Sequence, residues 1–448
     1  MERKKYHFIG IGGIGMSALA NILLKKGERV SGSDLSSNYV TKGLIEAGAH
    51  IQSGHSGENI DPDMIVIYST AVSKENEELQ KALQIGIPLL HRSELLAQLM
   101  SEYAPLLVAG SHGKTTTSSL LAHVLADVHL DPSYAIGGVV RSLKANGGYG
   151  QGPYFVAEAD ESDGSFLTYP ALGAIITNID NDHLDYWMTT EALIAGFKRF
   201  ADQIGSRDHL FWCADDSHLR SLCLPGTSYG FSQEAGLRIT HFNQRGWTTL
   251  FTISFQGQEY KDIEIPLIGK HNVLNTAAVF GFGLRLNISE HLLRRALGSF
   301  QGVGRRVEKK GEAKAIEVYD DYAHHPTEIL TTLKAIKSAS EGKRLVVAFQ
   351  PHRYTRTRDC MDQFPDAFVD ADVLILADIY SAGEKSIDGI TTERLLENIR
   401  NKIKDRVRYV PRQDLVRYLA GFLEPNDVLI TMGAGDVTKV GPDLLMQL

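Results

Sequence analysis

The sequence contains few cysteines, and only one of its segments is long and mostly apolar. Only three of its 448 residues are cysteines, and Cys213, Cys223 and Cys360 are scattered without CxxC spacing. A chain of this length needs no disulfides to hold its core, so this usage favours a reducing compartment and predicts a cytoplasmic protein. Tyr6–Leu24 is mostly apolar and mimics a secretory signal, but its recurring glycines would weaken the helix that such a signal needs. No other segment approaches the ~18 apolar residues of a membrane span, which predicts that the protein does not bind a membrane.

An excess of positive charge is also missing. Lys and Arg total 46 against 54 Asp and Glu, which gives a formal net charge of −8. Non-specific nucleic-acid binders need a clustered basic surface, so this balance disfavours a nucleic-acid partner. The hydrophobic share of 43% and the charged share of 22% are ordinary for a folded soluble protein. We expect neither a nucleic acid nor an obligatory protein partner.

Short apolar runs alternate with helical periodicity along most of the chain. This alternation predicts an α/β fold built on parallel sheets. At roughly 150 residues per domain the length allows about three domains, and the pattern divides into residues 1–100, 101–301 and 302–448. The stretch 237–265 differs, because its strict alternation and its turn glycines predict a small antiparallel β-subdomain.

The first glycine-rich segment has a GxGxxG pattern between a predicted strand and a predicted helix. It contains Gly10, Gly12 and Gly15, and Asp34 ends the next predicted strand. Such glycines let the backbone approach a diphosphate at a helix N-terminus, and the acid can take a ribose hydroxyl. The pattern predicts a dinucleotide-like or nucleotide-sugar site, with a tight structural turn as the alternative. On this motif alone, an NAD-dependent dehydrogenase is the first hypothesis.

A second glycine loop, Gly110-Ser111-His112-Gly113-Lys114-Thr115-Thr116, follows a predicted strand and opens a helix. Val108 stands where the phosphate-loop pattern GxxxxGK[ST] has its first glycine. The mechanics remain, because backbone N–H groups can cradle phosphates, Lys114 can bridge the β- and γ-phosphates, and a hydroxyl can bind Mg²⁺. A hydride transfer does not need ATP, so a second phosphate loop argues against a dehydrogenase.

Two acidic segments follow predicted strands of the same unit. They are Glu158–Asp163 and Asp180–Asp185, and the second contains His183. The carboxyl ends of parallel strands meet at one edge of a sheet, where ligands bind. Carboxylates and His183 at that edge could hold Mg²⁺ beside the phosphates of the loop at Lys114. The alternative is that these charged strand ends are only solvated.

Four more segments carry polar residues at predicted element ends. In 269–275 a His and an Asn four apart could meet a purine, although an N-cap and core packing explain them equally well. In 320–326 the adjacent histidines cannot easily both face one zinc ion. The basic segment 350–356 suits carboxylates and phosphates better than RNA in an acidic chain. The glycine turn 433–436 could be only a connection.

Together these segments resemble the Mur ligases of bacterial cell-wall synthesis, over essentially the whole chain. Small departures are Ser111, where threonine is common, and Ala323, where glycine is frequent. The family implies an N-terminal Rossmann-like domain for a UDP-linked substrate, a central P-loop ATPase-like domain, and a C-terminal Rossmann-like domain for an amino acid. The matches are GIGGIGMSALA from residue 10, GSHGKTTT at 110–117, EADESDGSF at 158–166, DHLD at 182–185, HNVLN at 271–275, DDYAHHPTE at 320–328, QPHRYTRT at 350–357 and GAGD at 433–436.

The resemblance also implies a role for each matching residue. The uridine diphosphate site would be formed by Gly10, Gly12, Gly15 and Asp34. The phosphates of ATP would contact Gly110, Ser111, His112, Gly113, Lys114, Thr115 and Thr116. The adenine side would be lined by His271, Asn272 and Asn275, and the ribose would meet Asp321. Mg²⁺ would be held by Thr115, Glu158 and His183, and catalysis would rest on Lys114, Glu158 and His183. The amino acid and the product would bind Tyr322, His324, Arg353 and Arg356.

The implied activity is the ATP-dependent ligation of L-alanine to the lactyl carboxylate of UDP-N-acetylmuramate. The carboxylate would attack the γ-phosphate of ATP, and the amine of alanine would then attack the resulting acyl phosphate. His183 would act as a base or only as a metal ligand. A salvage ligase that attaches a whole tripeptide is the nearest alternative. A dehydrogenase and a non-enzymatic nucleotide-binding regulator are the rivals from other classes.

Overall fold

The computed structural model describes residues 3–448, apart from the side chains of Tyr39 and Asp185, so Asp185 of the second acidic segment lies outside the described residues. The chain forms two compact units. The first comprises the chain up to His241 together with Phe251–Ile263 and Leu274–Gln301, and the second comprises Phe242–Leu250, Glu264–Val273 and Gly302–Leu448. Within residues 3–448, no helix combines the length and apolarity that crossing a membrane requires.

The first unit begins with a five-stranded parallel sheet in the order β3-β2-β1-β4-β5. Four of the five residues of β1 are buried, as expected for a central strand covered on both faces. The elements of this part are β1 Lys5–Ile9, α1 Ile14–Lys25, β2 Arg29–Asp34, α2 Tyr39–Glu46, β3 His50–Ser53, β4 Met64–Tyr68, α3 Glu77–Ile85, β5 Leu89–His91 and α4 Arg92–Met100.

A ten-stranded sheet follows, in the order β15-β14-β13-β12-β11-β10-β6-β9-β7-β8. Its centre is parallel, with β6 paired to β10 on one side and to β9 on the other. An antiparallel pair, β7 and β8, forms one edge, and the sequence pattern did not reveal it. The elements are β6 Ala104–Ala109, α5 Lys114–Asp127, β7 Ser133–Val140, β8 Ala145–Gly148, β9 Tyr154–Ala159, β10 Gly173–Ile176, α6 Leu184–Trp187, α7 Thr190–Asp202, β11 Leu210–Cys213, α8 Ser217–Ser221, β12 Thr227–Gly230, β13 Leu237–Arg245, β14 Thr248–Phe255, β15 Gln258–Ile265, α9 Lys270–Arg285 and α10 Glu290–Gly298.

The strands expected to form a small antiparallel β-subdomain are β13, β14 and β15. Their connections are only two residues long, which joins neighbouring strands in antiparallel fashion. They do not form a sheet of their own. Because β13 pairs in parallel with β12, the three strands continue the ten-stranded sheet.

The second unit contains a six-stranded sheet in the order β16-β17-β21-β18-β19-β20. Alternate residues of β18 enter two separate apolar cores, with Val347 in one and Val346 and Ala348 in the other. This alternation places packed side chains on both faces of the sheet. The elements are β16 Glu308–Ala313, β17 Ile316–Asp321, α11 Pro326–Ala339, β18 Leu345–Phe349, α12 Tyr354–Asp359, α13 Phe364–Ala367, β19 Val373–Leu376, α14 Thr392–Ile403, β20 Val407–Tyr409, α15 Leu415–Phe422, β21 Val428–Met432 and α16 Val440–Leu445.

The strand orders bring the polar segments of each unit together. In the ten-stranded sheet β6 lies between β9 and β10, so the loop at Lys114 opens between the two acidic segments. In the six-stranded sheet β21 lies between β17 and β18, so the glycine turn 433–436 opens between segments 320–326 and 350–356. The predicted convergence of the acidic strand ends beside the loop at Lys114 is therefore confirmed.

Candidate active site

The phosphate loop after β6 is fixed by the residues that follow β10. Thr177 Oγ1 donates to the carbonyl of His112 at 2.7 Å, and Asn178 Nδ2 donates to the same carbonyl at 2.9 Å. The His112 N–H donates to Asn178 Oδ1 at 2.9 Å. Gly110 has a φ of 129°, and a Cβ built there would lie 2.0 Å from Thr177 Oγ1. Only glycine therefore fits at this position.

Lys114 projects back across this loop. Its Nζ donates to the Gly110 carbonyl at 2.6 Å and to Glu161 Oε2 at 2.7 Å, and the Glu161 side chain is only 1% exposed. Burial by itself would lower the pKa of Lys114, but the carboxylates of Glu161, Asp160 and Glu158 raise it above its usual value. The ammonium is therefore charged and held against the carbonyls of the phosphate loop.

The carboxylate of Glu158 lies beside the start of α5. Its Oε1 accepts a hydrogen bond from the Gly137 N–H at 2.6 Å, and Thr115 Oγ1 donates to Oε2 at 3.3 Å. Ser118 Oγ also donates to Oε1, at 3.3 Å. A hydroxyl and a carboxylate side by side are hard oxygen donors, which suit Mg²⁺. Thr115 and Glu158 thus offer oxygen ligands that fit the predicted metal ion.

His183 occupies a left-handed backbone conformation just before α6, with a φ of 57°. Its Nε2 lies 3.7 Å from Asp182 Oδ2. His183 is also one of the charges that act on Asp160: burial would raise the pKa of Asp160, but Lys114, Arg92 and His183 lower it. His183 and Lys114 therefore both lie near Asp160.

The other loop residues have defined positions. His112 Nε2 lies 2.8 Å from Asp180 Oδ2, and the Asp180 N–H donates to Ser111 Oγ at 2.9 Å. Gly113 has a φ of 84°, and a Cβ there would lie 3.0 Å from Asn275 Oδ1. Thr116 is buried in the first turn of α5. The structure thus brings Asn275, an adenine-side residue by resemblance, against the phosphate loop itself.

The GxGxxG loop after β1 is tied to Asp34. The Gly12 N–H donates to Asp34 Oδ2 at 2.9 Å, and the Ser36 N–H donates to Oδ1 at 3.0 Å. A Cβ on Gly12 would lie 2.8 Å from Asp34 Oδ2, and Gly10 has a φ of 75°. Gly15 lies in the first turn of α1. In this structure the Asp34 carboxylate therefore shapes the loop through two backbone N–H groups.

The sequence predictions did not include Glu78, a buried carboxylate that is linked to this loop through Ser33. Glu78 is fully buried, and its oxygens accept hydrogen bonds from Ser33 Oγ at 2.5 Å and Asn59 Nδ2 at 2.6 Å. His55 Nδ1 lies 3.1 Å and His7 Nε2 3.4 Å from the same carboxylate. Burial would raise the pKa of Glu78, but these partners lower it to about 2.

The Glu78 network is connected to the glycine loop through one residue. The carbonyl of Ser33 accepts hydrogen bonds from the N–H groups of Gly10 at 2.9 Å and Ile11 at 3.0 Å. Glu78 thus holds the side chain of a residue whose backbone holds the loop. The sequence offered the separate residues but no signal that they meet.

Two adenine-side candidates and the ribose candidate lie in the second unit. His271 Nδ1 is buried without a hydrogen-bond partner among the described residues, and burial, helped by Arg306, lowers the pKa of His271 to about 4. Asn272 Nδ2 donates to the Ile268 carbonyl at 2.8 Å. Asp321 accepts hydrogen bonds from two backbone N–H groups, and burial raises its pKa to about 6 although Arg306 opposes this.

The predicted amino-acid pocket gathers around His352. The rings of Tyr322 and His324 are 5.3 Å apart, those of His324 and His352 are 6.0 Å apart, and His352 stacks on Tyr380 at 5.6 Å. Burial lowers the pKa of His352 to about 3, and the charges of His324, Arg356 and Arg353 add to this effect. His352 is therefore neutral; His324, Arg353 and Arg356 lie near it, and Tyr322 contacts His324.

Arg353 is held in place by an acid from a distant loop. Its Nε donates to Glu384 Oε1 at 2.5 Å, and the backbone N–H of Thr355 donates to Glu384 Oε2 at 3.1 Å. Arg353 has a φ of 72° and precedes α12, which carries Arg356. The sequence predictions did not include Glu384 or Tyr380, because neither belongs to one of the motifs that the sequence shows.

Three family models match the chain in order. They are the Mur ligase family catalytic domain over residues 5–104, the Mur ligase middle domain over 108–283 and the Mur ligase glutamate ligase domain over 305–435. A UDP-N-acetylmuramate–L-alanine ligase of Protochlamydia amoebophila is 48% identical over 444 residues, which cover 99% of this chain and 98% of that protein. The chain belongs to the Mur ligase family.

Further similarity to Mur ligases extends to a solved structure. A UDP-N-acetylmuramate–L-alanine ligase of Anaeromyxobacter sp. (strain Fw109-5) is 44% identical over 446 residues, 98% of this chain and 97% of that protein. The crystal structure of a UDP-N-acetylmuramate-alanine ligase from Thermotoga maritima matches with a TM-score of 0.88 at 27% identity, covering 99% of this chain and 98% of that chain. The family resemblance and the three-domain α/β fold class expected from the sequence are confirmed.

Proposed function

We propose that this Mur ligase joins L-alanine to the lactyl carboxylate of UDP-N-acetylmuramate, with ATP converted to ADP and phosphate. This is the first amino-acid addition in the synthesis of peptidoglycan precursors. The observation that carries the proposal is the position of Lys114, held over a phosphate loop between two acidic strand ends, in a chain that matches ligases with this name along its whole length. The reaction would take place in the cytoplasm.

The first half-reaction is phosphoryl transfer to the lactyl carboxylate. The chain's contribution is positioning and charge, because the transferred group needs little covalent help from the protein. Lys114 and the backbone N–H groups of Gly110–Gly113 would hold the γ-phosphate, with Ser111, His112 and Thr116 shaping the loop. Thr115, Glu158 and His183 would hold Mg²⁺, which would offset the charge of the triphosphate. His271, Asn272, Asn275 and Asp321 would contact the nucleoside.

The second half-reaction is attack of the neutral alanine amine on the acyl-phosphate carbonyl. Arg353 and Arg356 would bind the alanine carboxylate, because a guanidinium can give two parallel hydrogen bonds to it. Tyr322 and His324 would close the pocket around the amino acid. The tetrahedral intermediate would then collapse to the amide and release phosphate. Holding the amine in line with the carbonyl is the main effect expected of these residues.

The UDP end of the substrate would bind at the loop Gly10–Gly15. The backbone N–H groups at the start of α1 suit a diphosphate. Asp34 would face the uridine ribose while it keeps the hydrogen bond from the Gly12 N–H, because that hydrogen bond shapes the loop. Gly12 cannot carry a side chain without displacing Asp34.

A substrate panel tests the proposal. UDP-N-acetylmuramate and MgATP would be supplied with L-alanine, glycine, L-serine or the stem tripeptide, and ADP release and the nucleotide product would be measured. We expect efficient turnover with L-alanine. Turnover with the tripeptide alone would identify a salvage ligase instead, and nucleotide binding without product in any mixture would identify a regulator.

A further inference from the structure

Arg92 connects the two sheets of the first unit at their ligand-binding edges. It is the first residue of α4, directly after β5. Its Nη2 donates to Asp160 Oδ2 at 3.2 Å and lies 3.6 Å from Asp163 Oδ2. Both carboxylates belong to the acidic segment after β9. A residue that directly follows the last strand of the five-stranded sheet is thus bound to the acidic segment beside the phosphate loop of the ten-stranded sheet.

The other nitrogen of the same guanidinium faces the GxGxxG loop. A Cβ built on Gly15 would lie 3.2 Å from Arg92 Nη1, so the guanidinium stands directly against the first turn of α1. Arg92 Nη1 donates to no protein acceptor in the part of the chain that the structure describes, which leaves out the side chains of Tyr39 and Asp185. A cation beside a helix N-terminus is unfavourable, because both carry positive charge, unless an anion lies against both. The arrangement therefore leaves a place for an anionic oxygen.

The acidic segment after β9 that holds Arg92 also holds Lys114. Asp160 accepts a hydrogen bond from Arg92 Nη2 at 3.2 Å. Lys114 in turn pairs with Glu161, the next residue. Arg92 thus links the first turn of α1 to the acidic segment that pairs with Lys114.

We propose that Arg92 binds the muramyl nucleotide through Nη1, at an anionic oxygen of its diphosphate or of its lactyl group. The inference rests on the proposed function, which requires one substrate to have its diphosphate at Gly15 and its carboxylate at Lys114. Arg92 contacts the first turn of α1 at Gly15 and the acidic segment whose Glu161 pairs with Lys114. Asp160 and Asp163 hold Nη2, so that Nη1 is oriented before the substrate arrives.

Arginine suits this position better than lysine. A guanidinium presents donors in a rigid plane and can hold a carboxylate on one edge while it donates to a second anion on another. A lysine ammonium could keep the charge but could not satisfy both sides with fixed geometry. Arg92→Lys should therefore lie between the wild type and Arg92→Gln in substrate affinity.

The test is direct binding in the absence of ATP, measured by calorimetry with three probes. UDP-N-acetylmuramate carries both anionic groups, UDP-N-acetylglucosamine lacks the lactyl carboxylate, and UDP lacks the sugar. We expect Arg92→Gln to weaken binding of UDP-N-acetylmuramate by roughly ten- to a hundredfold. Equal weakening for all three probes assigns the contact to the diphosphate, and weakening for the muramyl nucleotide alone assigns it to the lactyl carboxylate. Arg29→Gln, at an exposed arginine of β2, is the matched control.

The inference would be overturned if Arg92→Gln bound all three probes with wild-type affinity and had a lower free energy of unfolding. Arg92 would then only stabilise the fold through Asp160 and Asp163. If Arg92→Gln does not fold, Arg92→Lys decides, since wild-type affinity and wild-type turnover in that variant would contradict a fixed two-sided role. Failure of the wild-type protein to bind UDP-N-acetylmuramate would instead contradict the proposed function. The wild-type titration therefore separates the two failures.

Discussion

Lys114 and Glu161 form a buried ion pair across the phosphate loop, with Nζ 2.7 Å from Oε2. The pair holds the lysine in a folded-back position, where Nζ also meets the Gly110 carbonyl. Glu161 itself is anchored, because Trp187 Nε1 donates to its backbone carbonyl at 2.9 Å. The lysine that would contact the transferring phosphate is thus positioned by a carboxylate three residues after Glu158.

Glu161→Gln should separate nucleotide binding from catalysis. Loss of a negative charge beside the triphosphate should leave KM for MgATP unchanged or lower, since repulsion falls. Loss of the ion pair should let Lys114 leave its position, so kcat should fall roughly ten- to a hundredfold. Steady-state kinetics with varied MgATP measure both values, and Glu191→Gln at an exposed glutamate of α7 is the control. A parallel loss of affinity and turnover would argue against a positioning role.

Lys114→Met should abolish ligation while the protein still binds UDP-N-acetylmuramate. Removing one preorganised cation from a phosphoryl-transfer site typically costs roughly a hundred- to a thousandfold in rate. Because this change leaves Glu161 buried and unpaired, the double variant Lys114→Met with Glu161→Gln is the matched control for folding. Product formation by quenched flow and binding by calorimetry measure the two effects. Wild-type turnover in the single variant would refute the assigned role.

Gly110→Ala should destabilise the first unit through a collision with Thr177. The added Cβ would lie 2.0 Å from Thr177 Oγ1, in a backbone conformation that disfavours side chains. We expect a loss of at least about 2 kcal/mol in the free energy of unfolding, measured with urea. Gly257→Ala isolates the backbone term, because Gly257 has a φ of 79° and open space around its Cβ position. Equal losses in both variants would show that the collision is relieved.

The Glu78 network should make the free energy of unfolding depend on pH in the acidic range. The pKa of Glu78 is about 2 in the folded protein against an ordinary 4.5, so the folded state binds its proton less readily than the unfolded state. Its stabilisation, up to about 3 kcal/mol, is therefore present above pH 4.5 and is lost as the pH falls from 4.5 towards 2. Urea unfolding at several pH values should show a smaller decline for Glu78→Gln than for the wild type. Glu58→Gln, at an exposed residue, should keep the wild-type slope.

Arg356→Ala should impair amide formation more than acyl-phosphate formation. Loss of one charge-assisted contact to the alanine carboxylate typically costs roughly ten- to a hundredfold. Trapping the acyl phosphate with hydroxylamine or borohydride measures the first step, and the amide product measures the second. Arg358→Ala is a matched control on the same helix, because Arg358 is exposed and pairs with its neighbour Asp359. If trapping falls as far as amide synthesis, Arg356 acts on phosphate or on both steps.

Local sequence patterns predicted the glycine loops and the polar residues at the ends of individual strands. The loop at Lys114 and the acids after β9 and β10 converge because parallel strands end at the same edge, and the sequence shows each strand end. Asp34 meets the first glycine loop for the same reason. The matching family motifs then supplied roles for residues such as Arg353 that a pattern alone left open. The domain limits at residues 100 and 301 remain predictions.

Contacts between distant segments could not be predicted in this way. Glu384 reaches Arg353 from 31 residues away, in a loop without a motif. Glu78 lies in an amphipathic helix, where its charge predicts a solvated face, but packing buries it against Ser33 and two histidines. Register and sheet order decide such contacts, and they are also why the three strands after β12 extend a larger sheet.

Transfer of an oxygen isotope tests most directly the central claim that the lactyl carboxylate attacks the γ-phosphate of ATP. UDP-N-acetylmuramate labelled with ¹⁸O in both lactyl carboxylate oxygens would be turned over with L-alanine and unlabelled MgATP, and the released phosphate analysed by mass spectrometry. Attack of the carboxylate on the γ-phosphate, followed by attack of the amine on carbon, transfers one labelled oxygen to each phosphate. We predict phosphate with one ¹⁸O, one for each amide formed. Unlabelled phosphate, or label in AMP with release of pyrophosphate, would contradict the mechanism.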